Sequence, residues 1–274
     1  MKLATPYSEL NAVFASLLEG TQNILNENFV GLYIVGSFAL GDFDTDSDAD
    51  FLVVTHGDVT DTQEAALQIM HGQIYDLEIL WTSTSWAKHL EGSYINKSLL
   101  KRPDPLRTPL LYLDNTARVL ERSDHCNKAL VRWTLREHGI ALAGPDPKTL
   151  VDSVSPTDLR SETSRIMREW LTEILAKPDL LDNRWYQAFA VVSPCRMLYT
   201  MREGTITSKL QAVRWAQANL ESRWNDLIER AWQDRPNPSL KSRLQADPDD
   251  SRDTLEFVQY ALGLIDTSSV IDLL

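Results

Sequence analysis

The sequence predicts two architectures in tandem: an α+β N-terminal domain, a mixed sheet with helices, followed by an all-α C-terminal helical bundle. Three observations carry this prediction. Short apolar runs of strand length fall in the first half, at 30–35, 49–54 and 110–113. Beyond Ser155-Pro156, apolar residues recur at helical spacing. Between the two lies a turn-rich stretch, Gly144-Pro145-Asp146-Pro147 to Pro156, where folded units commonly part. The predicted domains are therefore 1–153 and 154–274.

The N-terminal elements follow in order. Residues 8–26 read as an opening helix with Leu10, Val13, Phe14, Leu17 and Leu18 on one face. Val30-Gly31-Leu32-Tyr33-Ile34-Val35 reads as a buried strand ended by Gly36-Ser37, with a short helix at 38–40. Residues 49–54 form a second strand and 61–71 a helix. The alternation of Gln73-Ile74-Tyr75-Asp76-Leu77-Glu78-Ile79-Leu80-Trp81 reads as a third strand. Residues 110–113 and 117–120 flank Asp114-Asn115 and read as a hairpin. His138 is placed in a helix with Val131, Leu135 and Leu142, as a packing or capping residue.

In the C-terminal half, Ser155 reads as a helix N-cap with Pro156 in the first turn. Ile166, Met167, Trp170 and Ile174 continue that helix. Residues 185–202 and 208–232 read as two further helices. Asp253 with Glu256 resembles a capping box opening a last one.

Composition bounds the function. The chain has 274 residues and a net charge of -12. A surface gripping phosphate backbones presents basic excess, so nucleic acid is not the expected partner. An acidic surface attracts cationic small molecules instead. No run approaches the roughly 20 apolar residues of a membrane helix, and Met1-Lys2-Leu3-Ala4-Thr5-Pro6 has no signal-peptide core. The expectation is a cytoplasmic protein, monomeric or a weak dimer. Cys126 and Cys195 have no metal-ligand spacing and read as ordinary thiols. The five histidines are scattered and form no ligand set.

One segment carries chemistry. Ile34-Val35-Gly36-Ser37 leads a strand into a turn, and Ser47-Asp48-Ala49-Asp50 opens the next strand. Glycine lets the backbone approach a phosphate. The Ser37 hydroxyl and nearby amides can donate to its oxygens. Asp48 and Asp50 are two apart on a strand, so both carboxylates share a face. Their repulsion favours a cation between them. Magnesium prefers one or two carboxylates plus substrate phosphates. Asp42, Asp44 and Asp46 read as a solvated turn.

The order strand, Gly-Ser, Ser47, Asp-x-Asp, strand resembles the signature of the polymerase-beta-like nucleotidyltransferase superfamily. The resemblance implies a nucleotidyltransferase domain in the first half, with a third carboxylate from a later strand. Glu78 takes that place here, with Asp76 on the same face as its rival. The implied role is general base toward a substrate hydroxyl.

A narrower resemblance lies in Arg136-Glu137-His138-Gly139-Ile140-Ala141-Leu142-Ala143-Gly144-Pro145. A second lies in Arg196-Met197-Leu198-Tyr199 with Gly204-Thr205-Ile206-Thr207-Ser208-Lys209 and Arg214-Trp215-Ala216. Both are similar to segments of the streptomycin/spectinomycin (aminoglycoside) adenylyltransferases. That resemblance implies Asp48 and Asp50 as Mg2+ ligands and Gly36, Ser37 and Ser47 around the nucleotide. It also implies Glu78 as the base, Lys209 on ATP phosphates, Arg196 at the domain interface and Trp232 stacking on adenine. ATP is then the co-substrate. The acceptor is a small cationic molecule, an aminoglycoside or aminocyclitol, in an acidic interdomain cleft. The family's acidic acceptor-contacting residue falls near Tyr186, with Asp182 the nearest carboxylate. No tryptophan matches the family's drug-contacting one. Two alternatives are a protein-modifying, antitoxin-like adenylyltransferase and an inactive nucleotide-binding protein.

Overall fold

A computed structural model describes residues 4–43, 47–76, 86–234 and 244–266. The chain divides into two compact units, Met1–Val154 and Ser155–Leu274.

The first unit is a mixed sheet flanked by helices. Its helices are α1 (Ser8–Leu25), α2 (Gly36–Leu40), α3 (Asp61–Tyr75), α4 (Lys97–Leu100), α5 (Ala129–His138) and α6 (Pro147–Leu150). Its strands are β1 (Phe29–Ile34), β2 (Ala49–Thr55), β3 (Leu90–Asn96), β4 (Leu110–Leu113), β5 (Leu120–Ser123) and β6 (Ile140–Ala143). Among the described residues the sheet order is β5-β4-β3-β2-β1-β6. Among these described strands only β2 and β3 run parallel; the other pairs are antiparallel.

Strand β2 is covered on both faces, which explains its unbroken apolar run. Phe51 and Val53 join Leu10, Phe14, Leu17 and Leu67 of α1 and α3 in one core. Leu52 and Val54 join Tyr33, Ile95, Leu110 and Leu135 in a second core on the opposite face. By alternation Asp50 lies on the second face, with Leu52 and Val54.

His71 is buried in the first core region. Its Nε2 lies 2.7 Å from the Tyr94 hydroxyl, and its ring stacks near Phe51. Burial lowers its pKa to about 3. The unfolded chain therefore takes up a proton near pH 6.5 that the folded chain refuses. Stability from this residue is complete above pH 6.5 and declines as pH falls from there toward 3. The expected slope is about 1.4 kcal/mol per pH unit. Urea midpoints taken from pH 7 to pH 4 should fall less steeply for His71→Gln than for the native chain. Equal slopes would contradict a buried neutral imidazole.

The second unit is helical: α7 (Pro156–Ala176), α8 (Arg184–Glu203), α9 (Lys209–Asn219), α10 (Asn225–Asp234) and α11 (Pro248–Asp266). Ser155 and Asp158 form a reciprocal capping box on α7, with Pro156 in the first turn. Helix α8 is central. Val191, Val192 and Cys195 pack in one cluster, and Ala190, Leu198 and Met201 in another. No helix among the described residues is long and apolar enough to cross a membrane.

Several sequence expectations are corrected. Residues 73–75 belong to α3, because Leu67, Met70 and Ile74 keep the helical period and bury together against the core. Residues 77–81 lie outside the described residues. Among the described residues the third strand is β3, which the sequence reading missed, as it missed β6. The hairpin forms, but its second strand starts at Leu120 rather than 117, with Thr116 at φ 61° in the connection. Leu142 lies in β6, beyond the end of α5, where His138 packs on Trp133 with ring centroids 5.2 Å apart.

The 208–232 run breaks into α9 and α10. Leu220 turns extended, and a tight turn at 222–224 lets Trp224 pack edge-on to Phe257. The last helix opens at Pro248, not Asp253. The Asp247 carboxylate accepts the Asp249 amide there, satisfying a first-turn N–H. Asp253 sits inside the helix, 3.5 Å from Arg230.

Candidate active site

The site is built where β1 ends and β2 begins. The Val35 N–H donates to the Asp50 carbonyl at 3.0 Å, which draws the turn after β1 down onto β2. Gly36 follows at φ 63°. A side chain here meets an immediate obstacle: a Cβ on Gly36 stands 1.9 Å from Asp50 Oδ2. Glycine is thus required twice, for its backbone and for the close approach of the carboxylate. Helix α2 then opens without a side-chain cap, and Gly41 closes it in the left-handed region at φ 74°.

The Ser37 hydroxyl is buried and has no hydrogen-bond partner among the described residues. An orphaned buried hydroxyl costs free energy that a ligand oxygen would recover. Ser47 is 5% exposed. Asp48 and Asp50 are partly buried. Asp48 accepts a hydrogen bond from the Asn115 side-chain amide, delivered by the connection between β4 and β5.

A further carboxylate stands beside Asp50. In the parallel β2–β3 ladder, Glu91 is the register partner of Asp50. Paired strand residues present their side chains to the same face, so Glu91 neighbours Asp50. Its side chain is 14% exposed. Its Oε1 accepts the Tyr112 hydroxyl at 2.8 Å and lies 3.2 Å from His125 Nε2. Burial pushes the Cys126 thiol up to about 12, and the nearby Glu91 and Asp50 carboxylates add to that rise. Cys126 is therefore a neutral thiol at physiological pH.

The sequence-derived residues separate into groups. Gly36, Ser37, Ser47, Asp48 and Asp50 converge on one end of β1 and β2. Glu78 lies outside the described residues. Asp76 is at the exposed C-terminal end of α3, where Arg118 Nη2 sits 2.6 Å from its Oδ2. That hydrogen bond lowers its pKa, and the carboxyl is committed to an ion pair. Glu91, Tyr112, Asn115 and His125 were missed. The available signal for Glu91 was Leu90-Glu91-Gly92-Ser93, a carboxylate followed two residues later by a hydroxyl on a strand. Gly92 hides that strand in sequence. It is there because a Cβ would stand 2.2 Å from the Phe51 carbonyl.

In the helical unit, Lys209 opens α9 after the Ser208 N-cap. Arg196 is partly buried in α8. Trp232 packs against the cluster formed by Val191, Val213, Leu227 and Phe257. Tyr186 is partly buried and its hydroxyl accepts Trp170 Nε1 at 3.0 Å.

Both units match families of known proteins. Residues 18–81, which include the Gly-Ser turn and both aspartates, match the nucleotidyltransferase domain family. Residues 149–262 match the aminoglycoside adenylyltransferase C-terminal domain. The chain is an aminoglycoside adenylyltransferase-like nucleotidyltransferase. Among its relatives is spectinomycin 9-adenylyltransferase of Staphylococcus aureus, in strains Mu50 and N315. It is 26% identical over 211 residues, covering 73% of this chain and 75% of the relative. A crystal structure of spectinomycin adenyltransferase from Enterococcus faecialis with ATP and spectinomycin shares the fold. The TM-score is 0.70 at 16% identity, over 92% of this chain and 98% of that one. This adenylyltransferase thus pairs a mixed-sheet unit with a helical one, as its relatives do.

Proposed function

We propose that this enzyme moves AMP from ATP to a hydroxyl of a small cationic acceptor, an aminocyclitol or aminoglycoside antibiotic such as spectinomycin. The observation that carries the reading is the placing of Asp50 on β2, in register with Glu91 on the parallel β3 and under the Gly36-Ser37 turn, with Asp48 just before the strand. The relatives named for spectinomycin adenylylation, and the ATP and spectinomycin in the related crystal structure, support the choice of both substrates.

The donor set fits magnesium. No group of three His, Cys, Asp or Glu among the described residues makes a ready metal cage. Magnesium needs none, since it completes its shell with phosphates and water around one or two carboxylates. Asp48 and Asp50 would hold it, and when bound it would neutralise charge on the triphosphate and orient the α-phosphate. The chain's own residues do the rest. Ser37 and the amides of the Gly36 turn donate to phosphate oxygens. Asn115 holds Asp48 in place. Glu91 takes the proton from the acceptor hydroxyl as it attacks the α-phosphorus, and pyrophosphate leaves. From the helical unit, the same reading assigns Lys209 to the triphosphate, Trp232 to the adenine and Arg196 to nucleotide binding.

Purified enzyme with ATP, Mg2+ and spectinomycin is expected to release pyrophosphate and yield an acceptor heavier by AMP. No product across a panel of aminocyclitols and aminoglycosides would overturn the acceptor class. Glu91→Gln and Glu78→Gln decide the base. The first is expected to lower kcat by about a thousandfold, within the range of general-base catalysis, and the second to have a much smaller effect. The reverse pattern would return the role to Glu78.

A further inference from the structure

We propose that Tyr112, seconded by His125, is a positioning residue for Glu91, fixing the base's carboxylate against the acceptor hydroxyl. The inference rests on the reading of Glu91 as the base.

Three strands bring the group together. Tyr112 on β4 pairs with Ser93, two residues beyond Glu91, so Tyr112 and Glu91 share the face that carries Asp50. The Tyr112 side chain is 3% exposed, and its hydroxyl lies 2.8 Å from Glu91 Oε1 and 3.0 Å from Asp114 Oδ1. His125, two residues past the end of β5, approaches the same Oε1, and its ring lies against that of Tyr112, with centroids 5.4 Å apart at 31°.

A strand glutamate has three rotatable bonds and, beside Asp50, a charge that repels it. Left alone it would swing away from the neighbouring carboxylates. The phenol has one proton to give, and of its two carboxylate neighbours the Glu91 oxygen is the nearer, at 2.8 Å against 3.0 Å for Asp114. It keeps that proton: burial, with the Glu91 charge next, pushes the Tyr112 pKa far above the ordinary phenol range. Tyr112 is therefore a permanent donor, never a competing base. With two partners at Oε1, the carboxylate plane is set before the acceptor arrives. Such alignment matters, since a misplacement of about 1 Å can cost a hundredfold in rate.

The test uses Tyr112→Phe, which removes one oxygen and keeps the buried ring, in a cycle with Glu91→Gln. Rates are read as pyrophosphate release with ATP, Mg2+ and spectinomycin. Tyr112→Phe is expected to lower kcat 10- to 30-fold with the KM for ATP within twofold of native. In the Glu91→Gln background the same change should alter the residual rate less than twofold, because there is no base left to align. A merely structural role would lower both backgrounds alike, or move the KM for ATP, and either result would overturn the proposal. An inactive Glu91→Gln beside a native-like Tyr112→Phe would remove the positioning role alone. A fully active Glu91→Gln would remove the base reading itself. A crystal structure of Tyr112→Phe provides a measure independent of the acceptor. The Glu91 carboxylate is expected to rotate or spread over several positions, and an unmoved one would count against the proposal.

Discussion

Replacing Asp50 by asparagine is expected to reduce nucleotidyl transfer by about a thousandfold, corresponding to roughly 4 kcal/mol of transition-state stabilisation. The substitution is isosteric. The space under Gly36 stays filled, and the Val35–Asp50 backbone hydrogen bond is untouched. What disappears is a negative charge at the position proposed to hold magnesium. The loss should therefore appear in kcat and in Mg2+-dependent ATP affinity by calorimetry, not in folding. Stability is expected to stay level or to rise, since one carboxylate is withdrawn from beside Glu91. A variant that turns over normally would dismiss Asp50 as a metal ligand. A variant that unfolds would mean that the carboxylate serves packing rather than chemistry. Glu91→Gln beside it separates the two acids. It should spare Mg2+-dependent ATP binding while lowering kcat by about a thousandfold.

The largest expected effect on stability lies away from the site. Arg132 is 1% exposed, on α5. Its Nε donates to the Leu100 carbonyl at 3.1 Å, and its Nη2 to the Leu99 carbonyl at 2.9 Å and to Asn127 Oδ1 at 2.6 Å. Its Nη1 donates to the Lys128 carbonyl at 3.3 Å. Asn127 extends the network to the Asp104 carboxylate and the Thr108 carbonyl, each at 2.9 Å. One guanidinium thus ties the end of α4, the 104–108 loop and the start of α5. Arg132→Met keeps similar bulk and strips the Leu99 and Leu100 carbonyls and Asn127 Oδ1 of the guanidinium, while the Lys128 carbonyl keeps the backbone N–H of residue 132. Each such group costs about 1–3 kcal/mol. The expected loss is about 4 kcal/mol or more, a large part of the 5–15 kcal/mol that typically holds a domain together. The urea midpoint of the N-terminal unit should drop accordingly. A shift below about 1 kcal/mol would show that water replaces the guanidinium at little cost.

Arg132 also shows what sequence reading cannot see. An arginine inside an otherwise amphipathic helix reads as a surface residue. Its burial depends on carbonyls more than thirty positions away along the chain. His71 is similar: its depressed pKa arises from burial and its setting from Tyr94 and Phe51, none of which a local window reveals. The strand assigned to 73–81 has the same origin. Period-two alternation and the end of a helix give the same short pattern, and the packing of Leu67, Met70 and Ile74 decides between them at residues 73–75. Likewise the last helix starts at Pro248 because Asp247 caps it, a stronger local signal than the Asp253 pattern that was read instead.

The sequence by itself determined the two-part architecture, the Gly36-Ser37 turn and the Asp48–Asp50 pair. These are local features, written in consecutive residues whose spacing sets their geometry. The spacing sets Asp48 and Asp50 at the head of one strand, and a glycine before a serine lets the turn close down on Asp50. The tertiary structure alone decided which distant residues join them. Glu91 becomes the neighbour of Asp50 through a parallel ladder, and Tyr112, Asn115 and His125 arrive from β4, the β4–β5 connection and the turn after β5. Parallel pairing links strands separated by a long crossover, so its register is set by packing of the intervening chain and leaves no local mark in the sequence.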